Sequence, residues 1–91
     1  MKAATAKQKR HFQRLVELGC IICRGPAQIH HIGTHMGGGR DHDRVIPLCH
    51  LHHTGGEYGV AIHASKAKFE SIFGTEEELL SKANDMVNRN A

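Results

Sequence analysis

Ninety-one residues with a formal net charge of +3, no Trp, one Tyr and three Phe make one domain at most, with a thin apolar core. Three Cys is an odd number, which argues against a closed disulfide framework, and no apolar run resembles a signal peptide or a membrane span, so a soluble cytosolic protein with free thiols is predicted. The charge is uneven: residues 1–24 carry Lys2, Lys7, Lys9, Arg10, Arg14 and Arg24 against Glu17 alone, a basic front end that suits a polyanion such as nucleic acid.

In chain order, residues 5–18 read as a helix. Thr5 and Gln8 form a capping box, Phe12, Leu15 and Val16 share a face, and Gly19 ends it. Residues 20–25 make a Cys-x-x-Cys turn closed by Gly25-Pro26. Ala27 to Ile32 predicts a short strand. Residues 33–43 hold four Gly and read as a loop. Arg44 to Leu48 predicts a second strand, kept at an edge by Pro47. Cys49 to His53 should open a helical turn broken by Gly55-Gly56. Ser65 to Phe73 reads as a helix stopped by Gly74. Thr75-Glu76-Glu77-Glu78 then opens a last helix, with Leu79, Leu80, Ala83, Met86 and Val87 as its apolar stripe.

Two constellations carry chemistry. All nine His but His11 lie within residues 30–63. Imidazole binds zinc, so a cluster this dense points to a site. Cys20-x-x-Cys23 and Cys49-x-x-His52 are two ligand pairs of one spacing, which predicts a closed tetrahedral zinc site. Either pair alone would be read as well by burial of small residues. The second constellation is His30, His31 and His53. A hairpin followed by a helix brings the end of its first strand against that helix, so His30 can share a metal with His53. His31, expected to leave the strand where the loop starts, can point into the same cleft as general base for water. A metal there would stabilise charge on the phosphate and the leaving 3′ oxygen. His63 is a candidate third ligand and, equally, a helix-cap His. Phosphate contacts are expected from Lys7, Lys9, Arg10, Arg14 and Arg40, with little reading of bases. His35 reads as a solvated loop residue.

Ile29-His30-His31-Ile32, a Gly-rich loop, and Val45-Ile46-Pro47-Leu48-Cys49-x-x-His52-His53 resemble the HNH nucleases, the ββα-metal or His-Me finger family. The resemblance implies His30 as first metal ligand, His31 as general base and His53 as metal ligand on the helix. It also implies a zinc staple in which His52 replaces the last Cys of two Cys pairs. One departure stands out. The Asn expected before the second strand is absent, and Asp41, His42, Asp43 and Arg44 stand there. Asp43 is the candidate to orient His31 or help hold the metal, with His42 as runner-up. A wider pattern is similar to the phage recombination-enhancement nucleases that depend on the RecA recombinase. It runs through Gly19-Cys20-Ile21-Ile22-Cys23, Gly37-Gly38-Gly39-Arg40, Ile62-His63-Ala64, Phe69-Glu70 and Phe73-Gly74-Thr75-Glu76. That implies a phage-derived enzyme in the host cytoplasm, cutting DNA guided by a RecA filament.

The expectation is therefore a small α+β protein of the α/β class, with a zinc-stapled ββα-metal core. Residues 1–19 form a basic helix, 20–63 the metal-bound core and 64–91 two C-terminal helices, all in one nuclease domain. The expected activity is metal-dependent cleavage of DNA, with structural Zn²⁺ and a catalytic Mg²⁺, Mn²⁺ or Zn²⁺. The rivals are a zinc-stabilised DNA- or recombinase-binding module without catalysis, and a catalytically dead homologue.

Overall fold

A computed structural model describes residues 3–32 and 42–89. The first helix, α1, spans Ala6–Leu18. Its capping box forms: Gln8 N–H donates to Thr5 Oγ1 at 3.1 Å, and Thr5 N–H to Gln8 Oε1 at 2.8 Å. The helix stops at Gly19, whose φ is +92° and whose N–H closes on the carbonyls of Leu15 and Val16. The chain then turns tightly over Cys20–Gly25, with Arg24 N–H on the Cys20 carbonyl and Cys20 N–H on that of Gly25.

Strands β1 (Gln28–His31) and β2 (Val45–Leu48) form an antiparallel pair in which His30 faces Ile46 and His31 faces Val45. Both are a residue or more shorter than expected. Every residue of β2 is buried, because α1 and the last helix both pack against it. Ile21 N–H donates to the Pro47 carbonyl, so the Cys turn is fastened to β2. The predicted helical turn after β2 is a single wide π-helical turn, Leu51–Gly55. Gly56 closes it, and a Cβ there would meet the Leu51 carbonyl at 2.3 Å.

Helix α2 (Lys66–Phe73) is capped by Ser65, and α3 (Glu76–Arg89) by Thr75. Glu70 of α2 accepts the Glu76 N–H at 2.7 Å, joining the two helices end to end. Leu15, Ile32, Val45, Ile46, Leu48, Phe69, Leu79, Ala83 and Val87 form the core between α1, the hairpin and α3. This is a small α+β arrangement of a two-stranded sheet and helices. Among the described residues no helix is long and apolar enough to cross a membrane.

Candidate metal centres and the basic groove

The turn after α1 and the turn after β2 meet because of the Ile21–Pro47 backbone bond. That meeting brings Cys20, Cys23, Cys49 and His52 together, with all four ligand atoms within 4.8 Å of one another. Cys23 Sγ lies 3.6 Å from Cys49 Sγ, Cys20 Sγ 3.7 Å from His52 Nδ1, and Cys49 Sγ 3.1 Å from His52 Nδ1. Zinc–sulfur bonds of about 2.3 Å at tetrahedral angles put sulfurs about 3.8 Å apart, so the spacing of the cluster is close to that of a zinc site. The N–H groups of Ile22 and His52 point at the Cys20 and Cys49 sulfurs, each at 3.4 Å. Burial pushes the Cys20 thiol up, but backbone N–H groups from Cys49, Cys23 and Ile22 outweigh it and lower the pKa. Burial keeps His52 neutral, with its lone pair available. The donors suit a soft or borderline ion, and three of the four are buried.

A second cluster joins His30, His53 and His63, whose ligand nitrogens also lie within 4.8 Å of one another. The ring centroids are 5.0 Å apart for His30 and His53, 5.3 Å for His30 and His63, and 4.7 Å for His53 and His63. The local cause is backbone chemistry. A one-turn helix leaves its carbonyls without intrahelical partners. Here Ile62 N–H donates to the His52 carbonyl at 2.9 Å and His63 N–H to that of His53 at 3.1 Å. That pairing places His63 beside His53. Burial first, and repulsion from His30, His63 and His50 next, lower the pKa of His53 to about 4. His30 is likewise lowered, chiefly by burial, against a raising pull from Glu76. Three imidazoles held near one point, two of them disfavoured as cations, fit a divalent metal with a further position left for another ligand.

Two side chains that the sequence did not suggest border this cluster. Gln28 Oε1 lies 2.9 Å from His53 Nδ1, and Glu76 Oε2 lies 2.7 Å from His30 Nε2. Glu76 reads in the sequence only as a first-turn acid of the last helix. Nothing local reveals its reach to a histidine 46 residues away.

His31 does not leave the strand as expected. It pairs with Val45, and the ladder continues to Ile32 N–H on the Arg44 carbonyl at 3.0 Å, because buried β2 holds it. Successive strand residues face opposite ways, and the His31 ring has its own neighbours. His31 Nε2 lies 2.9 Å from His42 Nδ1, and Phe12 of α1 meets both rings edge-on at about 6 Å. Asp43 Oδ1 accepts from Gln8 Nε2 at 3.1 Å, so one amide caps α1 and ties it to the hairpin.

Next to Asp43 opens a groove of about 550 Å³ between α1 and α3. Lys7, Arg10, His11 and Arg14 line it from α1, and Asn84 and Asn88 from α3. Lys7, Arg10 and Arg14 meet there because spacings of three and four residues share a helix face. Lys9 does not line the groove, and Arg40 lies outside the described residues. No curated protein matches the chain. A family profile described as recombination enhancement, RecA-dependent nuclease matches residues 4–88, a span holding both clusters and the groove, and the chain belongs to that family of nucleases.

Proposed function

We propose that the chain is an HNH endonuclease: one domain over residues 1–91 that hydrolyses DNA phosphodiester bonds with a divalent metal, on DNA presented by a RecA filament. Family membership supplies the nuclease activity and implies DNA and RecA. The observation that carries the finer reading is the His30, His53 and His63 triad standing one residue from a second, separately held imidazole, His31.

Cys20, Cys23, Cys49 and His52 hold a structural zinc in this reading, and the three histidines hold Mg²⁺, Mn²⁺ or Zn²⁺. When bound there, the metal supplies Lewis-acid stabilisation of charge on the phosphate and on the departing 3′ oxygen. His31 is the general base. Its ring, with Nε2 2.9 Å from His42 Nδ1, takes a proton from the attacking water. His42 is then a positioning residue, and Asp43 acts through Gln8 to fix α1 against the hairpin. Attacking and leaving oxygens lie roughly in line across phosphorus. Lys7, Arg10 and Arg14 bind backbone phosphates in the groove, with Lys9 and Arg40 as outlying contacts.

Nicking of single-stranded, duplex and RecA-coated DNA tests this. RecA-coated DNA should be cut with added Mg²⁺ or Mn²⁺. His31→Ala should lower turnover by about 10²–10⁴ while zinc content and DNA binding stay unchanged. Equal cleavage by His31→Ala would refute the base. A parent protein that binds DNA but cuts none of the three substrates is instead a binding module.

A further inference from the structure

We propose that Glu76 is a positioning residue of the second metal centre: its carboxylate takes the Nε2–H of His30 and thereby presents Nδ1 to the ion shared with His53 and His63. The inference rests on reading those three histidines as a metal centre.

Glu76 is only 7 % exposed, and a buried carboxylate is costly unless its oxygens are satisfied. Both are. Oε2 is 2.7 Å from His30 Nε2, and Oε1 is 3.0 Å from Lys66 Nζ. Its own N–H is fixed on Glu70. The group thus has its backbone and both oxygens pinned, in the first turn of a 14-residue helix, where the backbone favours a negative charge. The Lys66 ammonium on Oε1 and the His30 ring on Oε2 are the partners a charged carboxylate needs in a buried site.

Glu76 is not itself one of the converging donors. Its oxygens fall outside the group whose ligand atoms lie mutually within 4.8 Å. Its geometry is that of an acceptor behind a ligand. An imidazole has one N–H and one lone pair, so an anion at Nε2 fixes the tautomer, and the lone pair falls on Nδ1. An ion bound at Nδ1 makes the Nε2–H more acidic, and the anionic partner answers that increase. Gln28 performs the neutral counterpart at His53, where Oε1 accepts from Nδ1–H and leaves Nε2. Two of the three imidazoles therefore have the outer nitrogen occupied, on opposite ring positions.

The test uses the full chain loaded with one structural zinc, titrated with Co²⁺ and followed by calorimetry and visible absorption. The parent should take up a second equivalent. Glu76→Ala should weaken that step by about 10–100-fold, and Glu76→Gln, which keeps an acceptor without the charge, by less. The structural zinc should stay at one per chain in all three. Before Co²⁺ is added, long-range ¹⁵N–¹H spectra should show the His30 proton on Nε2 in the parent and in Glu76→Gln, and a tautomer mixture in Glu76→Ala. A His30 proton on Nδ1 in the parent overturns the proposal even if the alanine variant does not fold. So does unchanged Co²⁺ affinity in either folded variant. A parent that takes no second equivalent overturns the metal-centre reading and this inference with it, a result distinct from the other two.

Discussion

His53 shows how one residue can be legible in kind and illegible in detail. Its adjacency to His52 and its place after a short strand mark it as a ligand candidate. What keeps it neutral is burial first and then the nearby His30 and His63, which no local pattern connects. Its pKa is lowered from the ordinary 6.5 to about 4, so between those values the folded protein binds fewer protons than the unfolded chain. Stability then falls as pH falls through that window, and the contribution is fully present above about 6.5. Denaturant unfolding of the parent and of His53→Asn, each carrying only the structural zinc, checks the sign. The stability difference between them should move against the parent from pH 7 to pH 5. A constant difference would mean that His53 titrates normally. Cys20, Cys23, Cys49 and His52 were readable because each pair is local, with two residues between its members, and the fold had only to bring two turns together. Glu76 was not, because a first-turn acid capping its own helix looks the same in sequence as one that reaches across the molecule.

At the level of elements, helix ends were clear and short pieces were not. Thr5, Gly19, Ser65, Gly74 and Thr75 mark boundaries by chemistry that acts within three or four residues, and the helices begin and end there. The turn after β2 was expected as a helical turn, with nothing to mark it as π. Its π geometry follows from tertiary demands: His52 faces the Cys cluster while His53 faces the other histidines. The end of α1 is the most constrained junction. Gly19 has a left-handed φ of +92°, and a Cβ there would lie 2.7 Å from the Arg24 carbonyl oxygen. Gly19→Ala should therefore cost about 1–3 kcal/mol in denaturant unfolding, and a neutral result would show that the Cys turn yields easily. The face of α1 carries a second expectation. Lys7, Arg10 and Arg14 share the groove, whereas Lys9 does not. Each phosphate contact releases counterions, so Arg10→Ala and Arg14→Ala should each reduce the slope of log affinity against log salt by about 1. Lys9→Ala should change it less. Equal slopes for all three variants would place the DNA elsewhere.

Across the whole molecule the apolar core is thin. The buried apolar residues come from α1, two four-residue strands, α3 and a few single positions such as Phe69 of α2, and the two segments 20–25 and 49–52 contribute more ligand atoms than apolar bulk. Domains of this size bury a smaller share of their chain surface than larger ones, and their net stability is about 5–14 kcal/mol. Structural zinc in small domains is worth about 10–16 kcal/mol of binding, as much as that whole margin. The ion would join a turn anchored to α1 to the turn that follows β2, so its loss should release both ends of the hairpin at once. Cys20→Ser, or chelation of the parent, should then collapse the whole structure in one transition, seen as loss of amide dispersion and of helical circular dichroism. The second centre predicts the opposite. His30, His53 and His63 sit where Glu76, Gln28 and the backbone of residues 62–63 already hold the elements together. Emptying that centre should leave the dispersion intact and abolish only cleavage. A Cys20→Ser protein that keeps its fold at neutral pH would refute the zinc staple, and a His53→Asn protein that unfolds would show that the two clusters do not divide structure from chemistry.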